Sequence, residues 1–140
     1  MTLLVHPVPV VVDASVAVDL VGAGDPDVAA AWRTWSDERR LRLAPVMLWP
    51  ELANALLRSR RLPGLLVAEL VAAFAASGIE IADRGAAGVR EAILLAERHD
   101  LTIYDAMYLW LAIDVDGELA TRDRALVLAA AAEGVPLALS

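Results

Sequence analysis

Residues 8–13 read Val-Pro-Val-Val-Val-Asp, a run of β-branched residues that ends in one acid. Valines on both pleat faces predict a strand buried on both sides, as in a parallel sheet covered by helices. Pro9 has no N–H to donate, so the paired part should begin near Val10. Asp13 then lies at the carboxyl end of a central strand. Open α/β sheets place their ligands at that edge.

The rest of the chain alternates in the way such a sheet requires. After Asp13, Ser15 can cap a short helix through Leu20, which Val21-Gly22-Ala23-Gly24 breaks. Asp25-Pro26 restarts a helix, with Asp as N-cap and Pro at the first position. Val28, Trp32 and Trp35 share one of its faces. Leu41 to Ala44 reads as a second strand. Val46 to Arg61 reads as helix, with Pro50 forcing a break or a fresh first turn and Glu51 just beyond it. Leu65 to Ala76 is helical, and Ile79 to Ala82 is a third strand. A helix opened by Gly85 or Gly88 runs to Arg98, and Asp100 to Ile103 connects it to an almost wholly apolar helix, Asp105 to Ile113. Glu118 to Thr121 is a fourth strand, Arg124 to Glu133 a helix, and Pro136 to Leu139 a last strand. With no tight hairpin signal, this order predicts one domain over residues 1–140. Its fold class is α/β, a three-layer α/β/α sandwich around a mainly parallel sheet of four or five strands.

Composition excludes several chemistries. With no cysteine, thiolate zinc sites and thiol nucleophiles are absent. All 12 basic residues are Arg, so mechanisms that need lysine are excluded too. A net charge of −7 argues against a passive electrostatic binder of nucleic acid. It is compatible with a metal-dependent nuclease, whose cations reverse the local sign. No apolar run approaches the ~20 residues that span a bilayer. No signal peptide is legible at the N-terminus, and a cytoplasmic protein is the simplest expectation.

Four acids stand apart, each with an ordinary alternative. Asp13 and Asp123 leave strand ends and could be N-caps. Glu51 begins a helical stretch and could merely favour the positive end of the dipole. Asp105 opens an otherwise uncharged, buried helix, where an unpaired charge is costly. In a parallel sheet these junctions can converge on one edge. Convergent carboxylates repel unless they share protons or hold cations. Oxygen ligands without His or Cys suit Mg²⁺ or Mn²⁺.

These residues also carry a resemblance. Val11-Val12-Asp13-Ala14-Ser15, Pro50-Glu51-Leu52-Ala53-Asn54-Ala55-Leu56, Tyr104-Asp105-Ala106-Met107-Tyr108-Leu109 and Leu119-Ala120-Thr121-Arg122-Asp123 occur in order along nearly the whole chain. The chain resembles PIN-domain ribonucleases, and most of all the VapC toxins of type II toxin–antitoxin pairs. The resemblance implies a metal-dependent endoribonuclease whose catalytic and metal-binding acids are Asp13, Glu51, Asp105 and Asp123. These should come within a few ångströms of one another, with Mg²⁺ or Mn²⁺ as cofactor. Ser15, Asn54 and Thr121 match accessory polar positions. RNA substrate, a cognate antitoxin protein, a homodimer and no membrane association are the implied partners. The antitoxin would occupy an apolar groove lined partly by the helix containing Trp32 and Trp35, although that stripe also reads as core.

Asp114 and Asp116 precede a strand, on the wrong edge for ligands. His6 and His99 are given no catalytic role. Arg122 and Arg124 flank Asp123 and could meet RNA phosphates. A receiver-type signalling domain would need a lysine, and a haloacid-dehalogenase-like phosphatase would need an acid where Ser15 stands. No glycine-rich phosphate loop is present. The remaining rival is a non-catalytic PIN scaffold that binds protein or RNA.

Overall fold

A computed structural model of the chain describes residues 6–139. Four parallel strands, β1 (Val10–Val12), β2 (Arg42–Ala44), β3 (Ile79–Ile81) and β4 (Glu118–Ala120), form one sheet in the order β3-β2-β1-β4. The valine run is central. Val10, Val11 and Val12 are fully buried, between β2 on one side and β4 on the other. Pairing starts where the proline permits, with Val10 N–H donating to Leu41 O at 2.8 Å.

Seven helices flank the sheet among the described residues: α1 (Ala14–Val18), α2 (Pro26–Asp37), α3 (Leu48–Asn54), α4 (Gly64–Ala75), α5 (Gly85–His99), α6 (Ile103–Asp114) and α7 (Arg124–Ala132). The chain moves outward from β1 to β2 to β3, then reverses to place β4 on the other side of β1. Right-handed crossovers put α1–α4 on one face and α5 and α6 on the other. In agreement, α1 packs on α3 and α3 on α4, while α6 packs on β1, β4, α5 and α7. The reversal point lies between β1 and β4, where such sheets open a crevice.

Four local expectations change. Helix α1 begins at Ala14 with Asp13 as N-cap residue, so Ser15 is inside the helix rather than its cap. Its far end does not simply break: residues Asp19–Ala23 form a π turn closed by Gly24 at φ 62°. Helix α6 starts two residues early, capped by the Thr102 hydroxyl, which places Asp105 in its first turn. The last strand shrinks to one bridge, Leu137 beside Leu119, held by Leu119 N–H to Pro136 O and Ala138 N–H to Leu119 O, both 2.9 Å. Pro50 behaves as expected. It sits in the first turn of α3, where its missing N–H has no helical partner to lose.

Candidate metal and nuclease centre

Asp13 leaves β1 at its carboxyl end, and its side chain is only 4% exposed. Its Oδ2 accepts from the hydroxyls of Ser15 at 2.8 Å and Thr121 at 2.7 Å. Both hydroxyls have a second task. Ser15 Oγ accepts from the Arg122 N–H at 3.0 Å, and Thr121 Oγ1 accepts from the Asp123 N–H at 2.9 Å. The loop after β4 is therefore stitched to the acid after β1. This is possible because the two strands are neighbours, with Asp13 N–H donating to Ala120 O at 3.0 Å.

The other acids arrive on helix starts. Asp123 is the N-cap of α7, and its Oδ1 accepts from Leu126 N–H at 3.1 Å. The N-cap reading and the site reading thus hold together, since capping engages one oxygen. Glu51 lies in the first turn of α3 and Asp105 in that of α6. Helix α6 leads back into β4, so its first turn stands at the carboxyl edge of the sheet. The four acids therefore occupy the starts of four helices, whose positive ends favour negative charge.

Tyr108, to which the sequence alone assigns no role, belongs to this group. Its hydroxyl, on a fully buried ring, donates to Glu51 Oε1 at 3.0 Å. The available signal was its spacing of three from Asp105 on one helix, which puts both on the same face.

The acids feel one another. Burial pushes the Asp13 carboxyl above its ordinary range, against the hydroxyl hydrogen bonds that favour its charge, and Asp105 adds repulsion. Glu51 is raised by burial first, then by the charges of Asp13 and Asp105, with the Tyr108 hydrogen bond opposing them. Asp105 is raised by burial and then by Asp123. Burial and the charges of Glu51 and Asp13 hold the Tyr108 hydroxyl protonated. A cleft of about 410 Å³ opens beside Glu51, Asp105, Asn54 and Tyr104. Among the described residues, no three acids or histidines close on one point as a ready-made ion cage. The acids are electrostatic neighbours: Asp13, Glu51 and Asp105 feel one another's charge, and Asp105 feels Asp123.

The model of the PIN domain family matches residues 10–132. The chain belongs to the PIN-domain family. Members of this family are nucleases. No curated protein matches the chain in a sequence comparison. Among solved structures it resembles PAE2754 of Pyrobaculum aerophilum, with 25% identity and a TM-score of 0.66 over 87% of this chain and 84% of that one. It also resembles VapC20 of Mycobacterium tuberculosis, a toxin that cleaves the sarcin–ricin loop, at 18% identity and TM-score 0.68, covering 86% and 94%. A third similar structure is VapBC2 of Rickettsia felis, bound to a DNA fragment from its promoter. It matches at 15% identity and TM-score 0.69, covering 91% and 96%.

In this PIN domain the donor set fits a hard divalent cation. It consists of carboxylate oxygens alone, three of them destabilised as charges by burial and mutual repulsion. Mg²⁺ takes few protein ligands and keeps several waters, so it does not require a closed cage. Asn54 borders the same cleft but makes no hydrogen bond to the acids among the described residues.

Other expected residues fall elsewhere. Asp114 pairs with Arg84 at 3.0 Å, and Asp116 forms a left-handed turn at φ 52°, both before β4 and away from the acid edge. His99 Nε2 lies 2.6 Å from Glu133 Oε2, and His6 is in the exposed entry segment. Trp32 and Trp35 do not line a groove. They are 8% and 3% exposed, and Trp32 packs on both Trp35 and Phe74 because the apolar stripe of α2 faces the core. An open apolar groove of about 600 Å³ lies instead between α3 and α4, flanked by Ala53, Leu57, Val67 and Val71. It shares Pro50 and Asn54 with the acid cleft.

Proposed function

We propose that this chain is a divalent-metal-dependent endoribonuclease, the toxin of a toxin–antitoxin pair, with Asp13, Glu51, Asp105 and Asp123 as its catalytic and metal-binding residues. The observation that supports this most is the meeting of four acid-bearing helix starts at the carboxyl edge of a PIN-domain sheet. Mg²⁺ or Mn²⁺ held there by the four carboxylates would supply Lewis-acid polarisation of a phosphodiester and activation of a water at neutral pH. The chain's own residues set that stage. Ser15 and Thr121 hold Asp13 by one oxygen, and Tyr108 holds Glu51. The helix starts give the RNA phosphate a positive field in a chain that is acidic overall. No side-chain nucleophile is required.

As partners we propose RNA as substrate, a second copy in a homodimer, and an antitoxin protein. The groove between α3 and α4 suits an amphipathic antitoxin helix, because it is apolar and continues into the acid cleft. The motif segments around Asp13, Glu51, Asp105 and Asp123, which resemble those of VapC toxins, are what supports an antitoxin as partner.

The test is incubation of the purified protein with Mn²⁺ or Mg²⁺ and a panel of structured and single-stranded RNAs. Internal cleavage that stops in EDTA and is lost in Asp13→Asn supports the proposal. No cleavage of any RNA by a folded protein would favour the binding-scaffold reading. Cleavage that persists in EDTA would reject the metal.

A further inference from the structure

We infer that Asp19 is a positioning residue that fixes the loop after β4, which carries Asp123 and is hydrogen-bonded to Asp13; the catalytic part of this inference rests on the nuclease reading above. Asp19 begins the π turn at the end of α1. Its Oδ2 lies 3.4 Å from Arg122 Nε and its Oδ1 lies 3.3 Å from Arg60 Nη2. Arg122 also reaches Asp25 Oδ2 at 3.4 Å, and the Asp25 N–H donates to Asp19 O at 2.9 Å. One carboxylate thus ties together the end of α1, the loop after β4, and Arg60. Arg60 closes a second π turn, Ala55–Ser59, which continues the helix bearing Glu51.

The two π turns touch directly. A Cβ on Gly22 would stand 2.7 Å from Leu56 Cδ2, so any larger residue there would have to displace the Leu56 side chain. π turns often mark functional segments of helices. Here both follow helices that carry site acids at their starts, and the Asp19–Arg60 pair joins them on the outside.

Arg122 is the residue through which Asp19 acts. It stands between Thr121 and Asp123. Its N–H donates to Ser15 Oγ, and Ser15 and Thr121 both donate to Asp13. Its guanidinium is held outward by Asp19 and Asp25. The backbone of the loop is therefore gripped from both sides. Partly exposed ion pairs such as these contribute little to global stability. Their effect is local, on a loop whose misplacement would separate Asp13 from Asp123.

The test compares the wild-type chain with Asp19→Asn, Asp19→Glu and Arg122→Gln. The first readout is amide hydrogen exchange of the metal-free protein. In Asp19→Asn and Arg122→Gln the amides of Arg122 and Asp123 should exchange about threefold to tenfold faster, those of Val11 and Leu119 should be unchanged, and Asp19→Glu should restore most of the protection. The second readout is RNA cleavage with Mn²⁺: kcat should fall by a similar factor with KM unchanged. Unchanged exchange at the two amides, or an equal rise throughout the sheet, overturns the inference. So does a fall in KM with kcat retained in Asp19→Asn, which would make Arg122 a phosphate contact that Asp19 restrains. If the wild-type protein cleaves no RNA, the nuclease reading fails separately, and the exchange data alone decide whether Asp19 holds the loop.

Discussion

Asp13 is a buried acid held by two hydroxyls, and its environment sets opposing demands. The hydroxyls favour its charge, while burial and Asp105 disfavour it more, so its folded pKa is raised. Glu51 and Asp105 are raised as well. A raised acid binds protons in the folded state that the unfolded chain has already released. The contribution of these three acids to stability of the metal-free protein is therefore greatest at low pH and falls as pH rises through the raised carboxylate range. Urea midpoints measured from pH 4 upward in EDTA should decline, and Asp13→Asn should flatten that decline. At neutral pH the same substitution should stabilise the metal-free protein by about 1 kcal/mol, because it removes a buried charge. Tyr108→Phe should cost about 1 kcal/mol, the worth of one buried hydrogen bond, and should slow cleavage by freeing Glu51. Chemical denaturation and initial rates check both effects. That the four acids stand at element junctions is legible in the sequence, because each follows a strand or opens a helical stretch. Tyr108 was not, because a tyrosine on an apolar helix reads equally well as core.

Helix starts, rather than strands alone, bring the acids together. Thr102 caps α6, with its hydroxyl accepting from Asp105 N–H at 3.1 Å, and so fixes the turn that presents Asp105. Thr102→Ala should cost about 1 kcal/mol in thermal or urea unfolding and lower activity more than that loss explains. On the same face of the sheet, α5 packs on α6 with Gly88 facing Trp110. A Cβ at Gly88 would come 2.9 Å from the indole, whose Nε1–H donates to Glu91 Oε2 at 2.6 Å. Gly88→Ala should therefore destabilise by about 1–3 kcal/mol through overpacking, measured by urea denaturation. Element order and strand identity could be read from periodicity, since Val10–Val12 and Ile79–Ile81 have no helical alternative of sufficient length. The π turns could not, because no local periodicity in residues 19–23 or 55–59 distinguishes a π turn from an α-helical one. The start of α6 was misplaced because Ile103 and Tyr104 look like loop residues until Thr102 is recognised as a cap. Whether Trp32 and Trp35 line a groove is not legible in the sequence, because an apolar stripe does not reveal whether it faces the core or solvent, and here it faces the core.

The fold as a whole turns on one reversal. Strand order β3-β2-β1-β4 puts the change of direction between β1 and β4, and Asp13 and Asp123 leave the sheet on either side of it. Helices α3 and α6, from opposite faces, then bring Glu51 and Asp105 to the same edge. An ion bound there would relieve four mutual repulsions at once. The protein should gain thermal stability with added Mn²⁺ as its concentration passes the dissociation constant, by about 2.7 kcal/mol at a hundredfold excess over it. The claim that the four acids act as one ion site is tested most directly by Mn²⁺ titration calorimetry on the wild-type protein and on Asp13→Asn, Glu51→Gln, Asp105→Asn and Asp123→Asn, each shown folded by circular dichroism. Binding by the wild-type protein that weakens by about tenfold or more in every one of the four variants is the expected result. Binding that is untouched by Asp13→Asn and Asp105→Asn would contradict it.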